Sequence, residues 1–211
     1  MSSAILPTTP GQRLSQPGEP PWEVAFLFPT QGHWSEEEYL ALDTNRLVEL
    51  SNGCLEVLPM PILAHQLIVK FLLRVLDDFV IARALGIVAF APLPVWLWSG
   101  TYREPDLIFV RSGRGRRRGQ PEGADLVMEV VSEGAENRKR DFETKRQEYA
   151  AAGIAEYWII DPEEHRITVL TLDGQTYRVH GEFGGGATAT SVLLPGFGVA
   201  VDAVFAAANG E

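Results

Sequence analysis

The sequence predicts an α/β domain in which helices flank a mixed central β-sheet. Short runs with the two-residue period of strands alternate with two long runs that have the period of amphipathic helices. Residues 124–161 read as strand, long helix, strand, which is the order of a right-handed parallel crossover. A chain of 211 residues with 45% apolar residues and five tryptophans can also bury a substantial core.

The chain is predicted to contain one domain, residues 21–211, preceded by an arm. Residues 1–20 are rich in Pro, Ser and Gly, a composition typical of disordered segments. The same stretch lacks a basic segment followed by an apolar core, so no secretory signal is expected, and no apolar run is long enough to span a bilayer. With one cysteine, Cys54, the chain cannot form an internal disulfide or a Cys-based zinc cluster. These features favour a cytoplasmic location.

The first half of the domain contains two helical patterns around a hairpin pattern. In "WSEEEYLALD", residues 34–43, Ser35 can cap a short helix and Glu38 completes the capping box. The alternating runs of 46–59 flank Asn52-Gly53, a strong signal for a tight turn. A long helix with a broad apolar face is predicted over 65–85, with Gly86 as its stop.

The second half alternates extended runs with one long helix. The helix is predicted over 136–152 and ends at Gly153, and a short helix is expected near the C-terminal end. Strands or extended runs are predicted at 87–92, 94–98, 104–110, 124–131 and 156–161, followed by a hairpin about Asp173-Gly174.

Two of these strands carry a carboxylate in an unusual place. Glu129 interrupts the apolar run "DLVMEVV", and Asp106 opens "DLIFV" directly after Pro105. Burying an unpaired carboxylate costs several kcal/mol, so such a group is normally paired, metal-bound or protonated. If 104–110 and 124–131 are adjacent strands, the two carboxylates can lie together and hold Mg²⁺ or Mn²⁺. The alternative is a strand glutamate that takes a salt bridge or hydrogen bonds.

The next helix offers a cation to these acids. Lys145 lies between Phe142 and Tyr149 on one helix face, and it is four residues from both Asp141 and Tyr149. A lysine within an aromatic stripe points partly inward, so it can reach the carboxylate pair while Asp141 orients its stem. The alternative is a lysine that snorkels to solvent and pairs with Asp141.

The charge is distributed unevenly along the chain. A formal net charge of −10 disfavours a protein that coats nucleic acid non-specifically. Residues 111–119 and 138–146 are nevertheless basic islands. The glycines of the first island favour a mobile loop rather than a helix. Each island is either a solvated surface or a contact for phosphates.

Four segments of the chain together resemble the Uma-two family of restriction endonucleases. They are "VELSNGCLEVLPMPILAHQLIVKFL", "EPDLIFV", "DLVMEVVS" and "RDFETKRQEYAAAGIAEYWIIDP". The resemblance implies a restriction endonuclease-like fold of the PD-(D/E)xK superfamily. It assigns Asp106 and Glu129 as ligands of a divalent metal. The superfamily's lysine position holds Val131 here, and Lys145 on the next helix matches the family pattern instead. Glu49 and His65 match further family positions; their alternatives are a solvent-facing hairpin residue and a helix-start histidine.

Two functions follow as expectations. The first is a Mg²⁺- or Mn²⁺-dependent endonuclease that hydrolyses DNA, with a homodimer as its assembly and no membrane partner. In this function Arg114, Arg116, Arg117 and Arg118 would approach the DNA backbone. The second is a non-catalytic binding or assembly module that retains the fold, because fold does not fix function.

Overall fold

The protein is described here by a computed structural model that covers residues 28–44 and 46–210. The disordered arm expected at residues 1–20 lies outside these described residues. Among the residues described, no helix combines the length and the apolar content that crossing a bilayer requires.

The secondary structure follows the predicted order closely. The helices are α1 (Glu36–Leu40), α2 (Leu63–Ala82), α3 (Ala135–Lys139), α4 (Lys145–Ala151) and α5 (Val201–Ala206), with a π-helical turn at Arg140–Thr144 and a 3-10 turn at Ala207–Asn209. The strands are β1 (Val48–Ser51), β2 (Cys54–Val57), β3 (Gly86–Phe90), β4 (Val95–Trp98), β5 (Thr101–Arg103), β6 (Leu107–Arg111), β7 (Arg116–Arg117), β8 (Gln120–Pro121), β9 (Leu126–Val130), β10 (Glu156–Asp161), β11 (Arg166–Asp173), β12 (Thr176–Phe183), β13 (Thr188–Thr190) and β14 (Gly198–Ala200).

The central sheet has six strands in the order β12-β11-β10-β9-β6-β3. Strands β9 and β10 are parallel, as the crossover predicted, and the other neighbouring pairs are antiparallel. The sheet is therefore mixed. The prediction that 104–110 and 124–131 are adjacent strands is confirmed, because β6 pairs with β9.

Helical segments cover both faces of the central sheet. On one face α2 and α5 pack against Leu126, Met128 and Val130 of β9. On the other face the α3–α4 segment packs against the alternate residues Val127 and Val131. Successive strand residues point to opposite faces, so β9 contributes to both apolar clusters and is buried along its whole length. Glu129 shares the face of Val127, which is the side of α4.

A second, antiparallel sheet joins the first through the chain between β5 and β6. Its strand order is β2-β1-β5-β4, and Tyr39, Val48, Leu50 and Tyr102 form its own apolar cluster with α1. The Asn52-Gly53 hairpin and the Ser35–Glu38 capping box occur as predicted. Because only Glu104, Pro105 and Asp106 separate β5 from β6, residues of the small sheet lie beside the opening of β6.

Two local predictions need correction. Gly86 does not stop α2: the helix ends at Ala82, Ala84 takes the left-handed conformation, and Gly86 begins β3. A Cβ at Gly86 would lie 2.1 Å from the Val110 carbonyl oxygen, so strand pairing excludes a side chain there. The helix predicted over 136–152 contains a π-helical turn in its middle. The basic island at 111–119 contains no helix, as expected; Arg116 and Arg117 form β7 and pair with β8, and residues 112–115 and 118–119 are turns or irregular chain.

Candidate active site

Asp106 and Glu129 face each other at one end of the central sheet. Leu107 pairs with Met128, so one further step along these antiparallel strands places Asp106 opposite Glu129. Directly opposed residues of such strands have Cβ atoms about 4.5–5.5 Å apart. The Val130 N–H donates to Asp106 Oδ2 at 2.8 Å, and this hydrogen bond fixes the first carboxylate beside the strand that carries the second.

His65, near the start of α2, supports the Asp106 side of the site. Its Nε2 lies 3.1 Å from the Val130 carbonyl oxygen and 3.3 Å from Asp106 Oδ2. Burial disfavours the charged imidazole, but the hydrogen bond and charge of Asp106 outweigh it and raise the pKa of His65 above its ordinary value. The helix-start alternative is therefore incomplete, because His65 lies in the first turn of α2 and also contacts the site.

Two donors from α4 hold Glu129. Lys145 Nζ lies 2.8 Å from Glu129 Oε1, and the Tyr149 hydroxyl donates to the same oxygen at 2.6 Å. Burial, opposed by Lys145 and assisted by Asp106 and other nearby acids, raises the pKa of Glu129 to about 7. The two donors explain how a carboxylate can lie in an apolar strand, because Glu129 is paired with Lys145 and Tyr149. Nearby acids also raise its pKa.

Lys145 is enclosed rather than snorkelling. Its side chain is 2% exposed, and its ammonium lies 3.5 Å from Glu49 and 3.8 Å from Asp141 in addition to Glu129. Burial lowers the pKa of Lys145, yet these three acids more than compensate and hold it above its ordinary value. The expected approach of the Lys145 ammonium to Glu129 is thus confirmed. Its other close acids are Glu49 and Asp141, and not Asp106 as expected.

Glu49 reaches the site from the small sheet. It is fully buried, which excludes the alternative of a solvent-facing hairpin residue. Burial tends to raise its pKa, but the charges of Lys145 and Arg103 dominate and lower it. Arg103 is itself fully buried and donates to Glu49 at 2.8 Å, to Glu56 at 2.7 Å and to Glu148 of α4 at 2.7 Å. This arginine ties the small sheet to the helix that carries Lys145.

A cavity of about 320 Å³ opens over these groups. Four carboxylates and two permanent cations line it, which leaves two uncompensated negative charges if every acid is ionised. Burial, followed by the charge of Glu49, raises the pKa of Glu104 to about 7. The ionisable residues that line the cavity are Glu104, Asp106, Glu129, Asp141, Arg140 and Lys145, with His65 beside them.

The donor set fits a small divalent cation held largely by water. Within the described ranges, no three His, Cys, Asp or Glu side chains converge as a metal cluster. Mg²⁺, however, is commonly bound through one or two carboxylates and several waters. The hydrogen bonds found for Asp106 and Glu129 each engage one oxygen, Oδ2 and Oε1 respectively. Their second oxygens are the available ligands.

Several buried polar atoms around the same cavity support this fit. Asp141 Oδ1, Glu104 Oε2, Arg140 Nε and His65 Nδ1 are all buried without a hydrogen-bond partner. Buried polar atoms are normally satisfied by protein or by ordered water. Their concentration here distinguishes the lining of the cavity from an ordinary apolar core.

The basic island lies at the opposite end of the sheet. Residues 107–110 of β6 separate Asp106 from Arg111, the first residue of the island, and the two residues are about 16 Å apart at the usual rise of a strand. Arg114 is bound to Asp125 at 2.9 Å and Arg117 to Glu36 at 3.2 Å, while Arg116 and Arg118 are exposed. The structure does not bring these four arginines to the carboxylates, and their contact with nucleic acid stays a prediction.

Arg103, Tyr149, Glu104 and Arg140 belong to the site but were missed as candidates. Tyr149 had a usable signal, since its spacing from Lys145 places both on one helix face. Arg103 and Glu104 directly precede the Pro105-Asp106 pair, which is a weaker signal. Arg140 had no signal in the helical period, because the π-helical turn changes that period.

Comparison with known proteins agrees with this architecture. No curated protein sequence matches the chain. The crystal structure of a putative nuclease belonging to DUF820 from Anabaena variabilis ATCC 29413 is similar, with a TM-score of 0.66 and 18% sequence identity. The match covers 82% of this chain and 98% of that one, so the two proteins share a fold. The Uma2 family profile, described as putative restriction endonuclease, matches residues 36–202. The chain therefore belongs to the Uma2 family, the family that the sequence motifs resemble.

Proposed function

We propose that this protein is a metal-dependent endonuclease that hydrolyses phosphodiester bonds of DNA. The observation that carries the proposal is the opposed pair Asp106 and Glu129 at the cavity, with Lys145 2.8 Å from Glu129. Membership of the Uma2 family and the fold shared with a putative nuclease support the same class of reaction.

The proposed cofactor is Mg²⁺ or Mn²⁺, held by Asp106 and Glu129. When bound, such an ion would polarise the phosphate and favour ionisation of a water. His65 and the Val130 N–H orient Asp106, and Lys145 and Tyr149 orient Glu129. These contacts fix one oxygen of each acid, and the other oxygen of each is the one proposed to hold the metal.

Lys145 has a positioning role in this proposal and stabilises negative charge that grows during the reaction. Its ammonium is held by Glu49 and Asp141, so it enters the site already oriented. Preorganised charge of this kind contributes more to rate than a mobile surface lysine can.

A direct test uses a panel of duplex DNA, single-stranded DNA and RNA with Mg²⁺ or Mn²⁺. The parent protein should cleave DNA, whereas EDTA or Glu129→Gln should abolish cleavage. Glu133→Gln is a matched control, because Glu133 is exposed and lies four residues along the same chain segment. Cleavage by Glu129→Gln at the parent rate would contradict the assignment.

A non-catalytic binding or assembly module remains the second candidate. The net charge of −10 favours it, as does the pairing of Arg114 and Arg117 with acids, because both weaken attraction to a nucleic-acid backbone. Binding of Mn²⁺ with no cleavage of any substrate in the panel would favour this candidate. The homodimer and the cytoplasmic location expected from the sequence are further proposals; sedimentation tests the first.

A further inference from the structure

Arg140 is a cation of the site to which the sequence motifs assign no role. It lines the cavity with Asp106, Glu129 and Lys145. Its side chain is 21% exposed, and its nearest acid, Asp141, lies 3.9 Å from Nε. That separation exceeds a hydrogen bond, and Nε is buried without a hydrogen-bond partner among the described residues.

The two permanent cations of the cavity differ in how far they are already paired with protein carboxylates. Lys145 is 2% exposed and is shared by Glu129, Glu49 and Asp141. A ligand entering the cavity would have to compete with these three carboxylates for its ammonium. The described residues supply no hydrogen bond to the Arg140 side chain, whose one ion pair is the 3.9 Å approach to Asp141, so a ligand of its guanidinium would displace no protein hydrogen bond among them.

The π-helical turn explains why Arg140 lies on the same side of the helix as Lys145. In a regular α-helix, residues five apart are rotated by about 140° from each other. In the π-helical turn the Lys145 N–H donates to the Arg140 carbonyl, five residues earlier, so the two residues stack one turn apart. Insertions of this type often occur at functional sites. Here the turn adds a second cation to the face that meets the cavity.

A phosphodiester entering this cavity meets four carboxylates, so it needs a cation beyond the one that Glu129 already holds. A guanidinium carries a permanent charge, and its planar fork matches two phosphate oxygens. We propose that Arg140 binds a non-bridging oxygen of the substrate phosphate, a role that rests on the phosphodiester chemistry proposed above. Arg140 is then the residue that selects for a charged diester, and Lys145 holds Glu129.

The test is a binding cycle that does not depend on turnover. The probe is a short fluorescein-labelled DNA single strand, with either ordinary phosphates or neutral methylphosphonates, measured by anisotropy with Ca²⁺ in place of Mg²⁺. Electrophoresis afterwards checks that the probe is intact. Arg140→Gln removes the charge, Arg140→Lys keeps it without the fork, and Arg138→Gln is the matched control. Arg138 lies two residues away on α3, bound to Asp161 and outside the cavity lining.

Arg140→Gln should weaken binding of the phosphate probe by about tenfold to a hundredfold, the usual effect of losing a charged hydrogen bond. The salt dependence of binding by Arg140→Gln, taken as the slope of log K against log salt concentration, should be smaller by about one. Replacing the phosphates of the probe with methylphosphonates should weaken its binding to the parent protein. The same replacement should leave binding to Arg140→Gln nearly unchanged, because the two changes remove the same interaction. Arg140→Lys should be intermediate, and Arg138→Gln should bind like the parent.

The inference would be overturned if methylphosphonate replacement weakened probe binding equally in the parent and in Arg140→Gln. It would also be overturned if the parent did not bind the phosphate probe. A folded Arg140→Gln, checked by circular dichroism, that binds the phosphate probe normally would also overturn it. A different result would reject the proposed nuclease function. In that case the parent protein would bind the probe in an Arg140-dependent manner but would not cut it with Mg²⁺ or Mn²⁺. That result would support the phosphate contact and reject the hydrolysis.

Discussion

Replacing Lys145 with methionine tests whether the ammonium is required to neutralise the acids that surround it. Methionine preserves most of the side-chain volume, so the change removes charge more than packing. The lysine is 2% exposed and lies 2.8 Å from Glu129, 3.5 Å from Glu49 and 3.8 Å from Asp141. Removing one partner of a buried ion pair typically costs about 3–5 kcal/mol, because the remaining charge is left uncompensated. We expect Lys145→Met to lose about this much unfolding free energy in EDTA.

Divalent metal should partly reverse this loss. A cation bound at Asp106 and Glu129 supplies some of the positive charge that Lys145 provided. A ligand at about a hundred times its dissociation constant stabilises the folded state by about 2.7 kcal/mol. The difference in unfolding free energy between the parent and Lys145→Met should therefore become smaller when Mn²⁺ is added. In the variant, the metal does not have to compete with an ammonium for Glu129.

The assay is urea unfolding followed by fluorescence of the five tryptophans, with and without Mn²⁺. Lys139→Met is the matched control, because Lys139 is exposed in the same helical segment and should change stability by less than about 0.5 kcal/mol. A Lys145→Met protein as stable as the parent would refute the claim that the ammonium neutralises buried acids. On any substrate that the parent cleaves, the variant should be slower by about a hundredfold or more while it still binds Mn²⁺. Full activity would remove Lys145 from the mechanism.

Three further outcomes are expected. Asp106→Asn and Glu129→Gln should each abolish Mn²⁺ binding measured by calorimetry, because each acid supplies charge that water cannot replace. Tyr149→Phe should weaken Mn²⁺ binding by about tenfold, since it removes the 2.6 Å hydrogen bond that orients Glu129. Glu49→Gln should flatten the acid side of the stability curve. The pKa of Glu49 is lowered in the folded protein, so its stabilising contribution is complete above its ordinary pKa of 4.5 and is lost as pH falls towards the folded value.

Each of these outcomes has a contrary result. Unchanged Mn²⁺ affinity in folded Glu129→Gln would remove that acid from the metal site. Parent-like affinity in Tyr149→Phe would mean that Lys145 alone orients Glu129. A Glu49→Gln protein that keeps the acid-side decline of the parent would assign that decline to other carboxylates. Asp78→Asn is a suitable control for the calorimetry and the pH series, because Asp78 is exposed on α2.

Local periodicity was sufficient to predict much of the fold. Alternation within 124–131 placed Glu129 on the face opposite to Met128, and β9 has this arrangement. The opposed positions of Asp106 and Glu129 followed once their strands were adjacent. The spacing of Lys145 and Tyr149 similarly predicted one inward helix face. These features depend on the pitch of a strand or helix, which neighbouring residues define.

The electrostatic environment of the site was decided by tertiary structure. Glu49 is 54 residues from Arg103 in sequence, yet pairing of β1 with β5 buries both and joins them. No local period indicates whether a hairpin glutamate faces solvent or a second sheet. The same limitation applies to the basic island, whose remoteness from Asp106 follows from the direction of β6.

The π-helical turn illustrates the difference between what the sequence pattern predicts and what the tertiary structure decides. The sequence from Ala135 to Ala151 supports a helix, and the chain is helical there, but the backbone takes an i→i+5 bond at Arg140 and Lys145. The sequence by itself thus indicated most of the strands and helices and the two acids that oppose each other, but not the short strands β5, β7 and β8. Only the tertiary structure decided that Lys145 is enclosed by three acids and that Arg140 joins it at the cavity. The physical reason is range: backbone periodicity is set by adjacent residues, whereas charge pairing and burial depend on segments brought together from distant parts of the chain.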